Sequence, residues 1–490
     1  MLAAQVKQLL DTEPEGAVEA LEIVDGLDDA LVHGLGRIGE AQASALAALA
    51  TALAATPLRD RVSEAVDKVR AGSLGDEHLA ALAGGRAALL GAVHDAQLAR
   101  LDAALGRSRA GWAAEVSDVD GRLPGGGPEG QGGGRSLDNL LAGCRSWLTE
   151  LAITGWAGTG QDQISASGNV IHAAYAAPRL RRLAVLLDGL AAELRAASPI
   201  ATMSRLPARR WADLWSRGVL LAHSAGGPGF SAVEVSGRLL ILGVDLHEHE
   251  TAVQLQAHGV LEEPGGAKRL VRMSISAGKT NTVIGASIWR LFSGYPMMLN
   301  GLAKHRVLEL SGMPLLPSGD LVWRDELAAA AEPADPFATA RVLLGAAVAP
   351  AVPPLERHPV RIAEPVLVEG YTVHNGVSID LGGNAIDLDL LRLPGCGPLT
   401  AAAVEASSAC LGLMRWDAGR WLLQPLAVQA TVKKKPVTVH NGEWALGLRV
   451  GGSAGGASIG HPDPKVAKAS SGKDDTVAVL RERAGRLLRK

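Results

Sequence analysis

Asp245-Leu246-His247-Glu248-His249-Glu250 is the stretch whose residue types and spacing come nearest to chemistry. On an extended strand alternate side chains share a face, so Asp245, His247 and His249 would project together. A carboxylate beside two imidazoles is the beginning of a zinc site, and zinc with an open position activates water for hydrolysis. The set is partial, because a zinc centre takes three or four protein ligands. The competing reading makes HEHE the polar turn between two apolar strands, GRLLILGVDL and TAVQLQAHGVLEE.

Ser274-Ile275-Ser276-Ala277-Gly278-Lys279-Thr280-Asn281 carries the Gly-Lys-Thr that closes a phosphate-binding loop. The full pattern is G-x-x-x-x-G-K-[ST], and its first glycine falls on Met273. The segment that follows, NTVIGASIWRLF, does not open as a helix, and no Walker B strand follows it. A turn with a lysine at its tip is the simpler expectation, and nucleotide binding is not expected.

Weaker signals remain. Asp380, Asp387 and Asp389 flank LGGN without the spacing of a calcium loop. Cys396 sits in LPGCGPLT with no adjacent base to lower its pKa. Trp416 and Trp421, with Arg415 and Arg420, have the composition of a base-stacking surface for single-stranded nucleic acid, although both indoles serve equally well as core. Trp211 and Trp215, four residues apart, read as packing on one helix side.

The elements that must position these residues follow from hydrophobic period. Three- and four-residue steps make 1–120 a helical bundle. Residues 121–135 form a glycine-rich linker, with eight glycines in the fourteen residues from Gly121 to Gly134. Helices resume over 136–224, where Leu180, Leu183, Ala184, Leu187, Ala191 and Leu194 mark one face. Alternating and β-branched runs then predict a β-rich module at 225–330, a connector at 331–359 and a second β-rich module at 360–450. Hairpin tips are expected at Asn375-Gly376, at Asp417-Ala418-Gly419 and at Asn441-Gly442, the first and last inside a repeated TVHNG. A flexible linker, 451–472, leads to an amphipathic C-terminal helix over 473–490. Its stripe of Val477, Leu480, Ala484, Leu487 and Leu488 has the spacing of a helix that docks into a partner's groove. Strands follow strands and helices follow helices, so the expected fold is α+β, a helical N-terminal half followed by two small barrels or sandwiches.

Composition limits the partners. The 490 residues are 47% apolar but only 3% aromatic, in the Ala-, Gly- and Arg-rich style of a high-G+C bacterial genome. A formal charge of -3, from 48 basic and 51 acidic residues, argues against a dedicated nucleic-acid binder. Three scattered cysteines, Cys144, Cys396 and Cys410, build no disulfide framework. No apolar run approaches the roughly 20 residues that span a bilayer. The N-terminal MLAAQVKQLLDTEPEG lacks the regions of a signal peptide, so a cytoplasmic protein without membrane contact is expected.

Three stretches, PRLRRLAVLLDGLAAELR, RRWADLWSRGVLLA and LMRWDAGRWLLQPLAVQ, resemble parts of uncharacterised bacterial proteins of similar length. Those proteins are encoded beside a SWIM zinc-finger protein, a MoxR-type AAA+ ATPase and a von Willebrand factor A protein. The resemblance covers about residues 137 to 450 and carries no catalytic motif. It implies a non-catalytic accessory member of an ATPase-associated multiprotein system, with other protein subunits as partners; no cofactor is expected unless the 245–249 stretch holds zinc. The expected function is therefore a binding or scaffold protein. The alternatives are a zinc-dependent hydrolase at 245–249 and a nucleic-acid-binding β-barrel module.

Overall fold

The computed structural model describes residues 1–11, 13–112, 132–224, 232–248, 252–432 and 434–447. His249, most of the glycine-rich segment, the tail from 451 and the stripe from Val477 to Leu488 lie outside them. The architecture is α+β, with helices in the N-terminal half and two sheets after it.

The helices are α1 (Ala3–Leu10), α2 (Ala17–His33), α3 (Glu40–Ala52), α4 (Arg59–Arg70), α5 (Asp76–Leu105), α6 (Gly132–Thr154), α7 (Gln161–Ala176), α8 (Arg181–Ala196) and α9 (Ala208–His223). The last glycines of the linker, with Arg135, form the first turn of α6, where backbone N–H groups have no intrahelical partner to lose. One core gathers apolar faces from α2 through α9. The face expected on α8 is buried as a stripe, Leu183, Ala184, Leu187, Leu190, Ala191 and Leu194. Trp211 and Trp215 are buried in the same core, where both meet Trp156 edge-on at centroid distances of 6.4 and 6.5 Å.

The first 112 residues serve two cores. Helix α5 has 30 residues and is therefore about 45 Å long. Its first half packs Leu79, Leu82, Ala83 and Leu90 into the helical core. Its last turns carry Val93, Leu98, Leu101 and Ala104 into the core of the second sheet, where Val6 and Leu9 of α1 join them.

The first sheet comprises β1 (Val233–Glu248), β2 (Ala252–Glu262), β3 (Lys268–Gly278), β4 (Arg306–Leu315), β5 (Asp320–Leu321) and β6 (Ala328–Pro333), with α10 (Pro296–Lys304) between β3 and β4. Its order is β1-β2-β3-β5-β4-β6, and β1 also pairs with β4, so the path of pairings returns to its start. The circuit is completed by a short parallel step, Arg272 and Met273 beside Asp320 and Leu321. On one face Leu239, Ile241, Val253, Leu255 and Met273 pack with Trp289, Phe292 and Met298. On the other, Leu240, Leu242, Val260 and Leu270 meet α11 (Pro336–Leu343) and the second sheet. Burial on both faces explains why GRLLILGVDL is nearly continuous in apolar character.

The second sheet holds β7 (Ala363–Glu369), β8 (Thr372–His374), β9 (Ser378–Leu381), β10 (Asn384–Leu388), β11 (Ala409–Asp417), β12 (Arg420–Val432) and β13 (Lys435–His440), with α12 (Ala401–Glu405) before β11. Its order is β7-β11-β12-β10-β9-β8, and β13 adds to β12. Two of the expected tips are present. Asn375 and Gly376 take positive φ between β8 and β9, and Ala418 and Gly419 do so between β11 and β12.

The third tip is not a hairpin. After β13 the chain enters a 3-10 turn, Asn441–Trp444, and Asn441 and Gly442 are buried. Asn441 Nδ2 donates to the Val244 carbonyl at 3.3 Å, and a Cβ on Gly442 would touch Leu302 and Val244. Tertiary burial against β1 and α10 thus overrides the turn preference of Asn-Gly. The turn expected at Lys279 is also different. Beyond β3 the chain continues into a 3-10 helix, Gly285–Phe292, rather than a returning strand. Lys279 folds back to place Nζ 3.4 Å from Glu248 of β1.

Candidate functional site

The two sheets meet at a buried polar cluster, and Asp245 of the candidate metal stretch is part of it. Strand β1 carries Asp245 across from Gln256 of β2, with only 5% of its surface exposed. Gln424 of β12, wholly buried, donates Nε2 to Asp245 Oδ1 at 2.8 Å. Arg415 of β11 donates Nε to Gln424 Oε1 at 2.6 Å and sets Nη2 3.7 Å from Asp245 Oδ2. Burial, then the neighbouring Arg392, lowers the Arg415 pKa to about 10. A buried carboxylate is stable only when paired and hydrogen-bonded, and this triangle supplies both. The sheets approach closely beside it, since a Cβ on Gly243 of β1 would lie 2.8 Å from Leu426 Cβ of β12.

His258 of β2 is buried nearby and has no protein partner for Nε2. Burial first, then the charges of Arg272 and Arg415, lower its pKa to about 3, so it is neutral at physiological pH. His247, two residues beyond Asp245, is exposed, and His249 lies outside the described residues. Among the described residues no group of three His, Cys, Asp or Glu side chains gathers as a metal centre. What the structure brings to Asp245 is a glutamine and an arginine from the other sheet, a pairing that strand periodicity cannot reveal.

The Gly-Lys-Thr segment is strand where a phosphate loop would have to curl. Met273 through Gly278 pair residue by residue with Ala257 through Ala252 of β2, so their backbone groups belong to a ladder. Met273 itself is fully buried. Cys396 places its carbonyl on Trp289 Nε1 at 2.8 Å, and burial, followed by the adjacent Glu248 carboxylate, pushes its thiol pKa well up. Burial raises Cys144 to about 11 and Cys410 to about 12, the reverse of what an activated nucleophile needs.

The remaining candidates are committed to packing or local pairing. Trp416 and Trp421 are cross-strand partners, 4% and 5% exposed, in the core of the second sheet, so neither offers an open ring face. Arg420 pairs with Asp387, Asp389 with Arg392, and Asp380 accepts from Gly383 N at 3.1 Å.

Sequence reading missed two polar groupings in the helical half. Arg86 of α5 grips Asp28 of α2 through Nε at 2.7 Å and Nη2 at 3.0 Å, both buried. Beside it a set of arginines from α8, α9 and the segment before β7 gathers around Glu356. The only signal in the sequence is the density of arginine in PRLRRL and LERHPVR. No helix among the described residues is long and apolar enough to cross a membrane. No protein-family model, curated protein or solved structure matches this chain.

Proposed function

We propose that the chain is a non-catalytic, cytoplasmic binding or scaffold protein, an accessory member of an ATPase-associated multiprotein system. The observation that carries this reading is the commitment of Asp245, the best placed catalytic candidate, to Gln424 and Arg415 between the sheets. A carboxylate held on both oxygens braces a fold. A general base or a metal ligand needs a free oxygen facing a cleft. The raised thiol pKa values and the strand conformation at Gly-Lys-Thr support it in the same sense.

The partners proposed are a MoxR-type AAA+ ATPase and a von Willebrand factor A protein, from the resemblance of the three stretches given above. Recruitment is assigned to the sequence stripe Val477, Leu480, Ala484, Leu487 and Leu488. The test is co-purification of the tagged full-length chain with those two proteins from a host encoding all three, and again after removal of 473–490. Loss of partners with an unchanged melting temperature supports the reading. Stoichiometric zinc in the purified chain, lost in a His247→Ala/His249→Ala variant, would replace it with the hydrolase.

A further inference from the structure

Where the helical core meets the segment leading into β7, one carboxylate is shared by three guanidinium groups. Glu356, in the 3-10 turn Pro354–Glu356, pairs with Arg182 of α8 and with Arg361 of the turn Pro359–Arg361. Its Oε1 also lies 3.5 Å from Arg217 Nη2 of α9. The second carboxylate within reach is Asp213, 3.8 Å from Arg217 Nη1. Two further arginines beside the cleft are already matched, Arg86 by Asp28 and Arg357 by Asp95. Three guanidiniums therefore share two carboxylates, a local excess of positive charge.

Donors exceed acceptors as well. A guanidinium presents five N–H donors and a carboxylate about four lone-pair sites. Arg217 Nε is buried without a protein acceptor. His358, 3.9 Å from Asp213, is lowered by burial to about 4 and adds no charge at neutral pH. Arg217, His358 and Arg361 line a small cleft together with Asp213, and Arg182 and Arg361 keep over a third of their side chains in solvent.

We propose that this arginine cluster binds a phosphate-type oxyanion, seated on Arg182, Arg217 and Arg361 beside Glu356. Guanidiniums arriving from three separate elements can each donate to a different oxygen of a tetrahedral anion. The bound anion would relieve the repulsion among the three cations. It would also tie α8 and α9 to the chain entering the second sheet, so binding and stability are linked. The inference stands apart from the scaffold reading and survives its failure.

The test is a titration of the full-length chain with inorganic phosphate, with phosphoserine in a second arm and chloride at matched ionic strength as the control. A saturable rise in melting temperature with either phosphate, absent with chloride, is expected. The tighter arm tells whether free phosphate or an esterified phosphate is the natural ligand. Arg182→Gln, at a half-exposed position, should weaken binding about tenfold, the worth of one charge-assisted contact. Arg182→Lys, which keeps the charge but not the fork, should fall between that variant and the parent. Identical melting in phosphate and chloride, or equal affinity in all three proteins, overturns the proposal.

Discussion

Gln424 of the second sheet donates Nε2 to Asp245 Oδ1 of the first across 2.8 Å, and the two residues lie 179 apart in the chain. This bond joins the sheets at a point from which water is excluded. Gln424→Ala strands a buried carboxylate oxygen and should destabilise the protein by about 1–3 kcal/mol. Asp245→Ala leaves Arg415 buried without its carboxylate and should cost more, about 3–5 kcal/mol. Urea unfolding followed at the sheets checks both. If Gln424→Ala leaves stability unchanged, Asp245 is not a brace and its role as a ligand reopens.

The same pair shows what the sequence could and could not carry. The apolar strand run of β1 was legible, and so were the α8 stripe and the tips at Asn375-Gly376 and Ala418-Gly419, because each is a local property of composition, period or turn chemistry. The α+β class followed from the order of such segments. The partner of Asp245 was not legible, since nothing within β1 specifies which strand will cover it. Asn441-Gly442 misled for a related reason: its turn preference is real, but burial against Val244 and Leu302 is worth more. Arg86 and Asp28 are separated by 58 residues, and each looks like an ordinary charge on an ordinary helix.

Acid should loosen the fold before most carboxylates titrate. His258 and His440 have pKa values lowered to about 3, and His358 to about 4, burial being the largest cause in each. The unfolded chain binds these protons near pH 6.5 and the folded chain does not. Stability from this source is complete above pH 6.5 and is lost progressively as pH falls toward 3–4. At pH 5 each histidine removes about 2 kcal/mol relative to pH 7. Melting temperatures from pH 7.5 to 5 should fall steeply, and His258→Gln should reduce the slope. A variant with the parental slope would show that His258 gains its proton without unfolding.

The Asp28–Arg86 pair lends itself to a double-mutant cycle. Arg86 also donates to Ser216 Oγ at 3.3 Å and the Arg209 carbonyl at 3.1 Å, so it links α2, α5 and α9. Arg86→Met leaves Asp28 buried and uncompensated, with an expected loss of about 3–5 kcal/mol. Adding Asp28→Leu removes the stranded charge and should recover most of that loss. Denaturation midpoints of the four proteins decide it. Losses that simply add would mean that Asp28 gains solvent or another partner once Arg86 is gone.

Gly155 is the glycine whose replacement should be felt most strongly in the helical core. It follows α6 with φ of 80°, and a Cβ there would stand 2.3 Å from Gly34 N and 2.6 Å from the His33 carbonyl carbon. The reverse contact is equally close, since a Cβ on Gly34 would lie 2.6 Å from Ile153 O. The ends of α2 and α6 thus meet backbone to backbone, and Leu35 N donates to Ala152 O at 2.8 Å across the joint. Trp156, the next residue, carries the buried edge-on contacts to Trp211 and Trp215. With φ 80° and ψ 157° Gly155 occupies a region open essentially to glycine, so Gly155→Ala adds about 1–3 kcal/mol of backbone strain to a clash that only backbone movement relieves, for a total above about 2 kcal/mol. Gly106→Ala is the control: φ is 66°, but nothing lies within 4 Å of the new Cβ, so only the strain of about 1 kcal/mol applies. Tryptophan fluorescence during urea unfolding reports the core directly. A midpoint shift clearly larger for Gly155→Ala than for Gly106→Ala is expected, and equal shifts would show that the two helix ends can part at little cost.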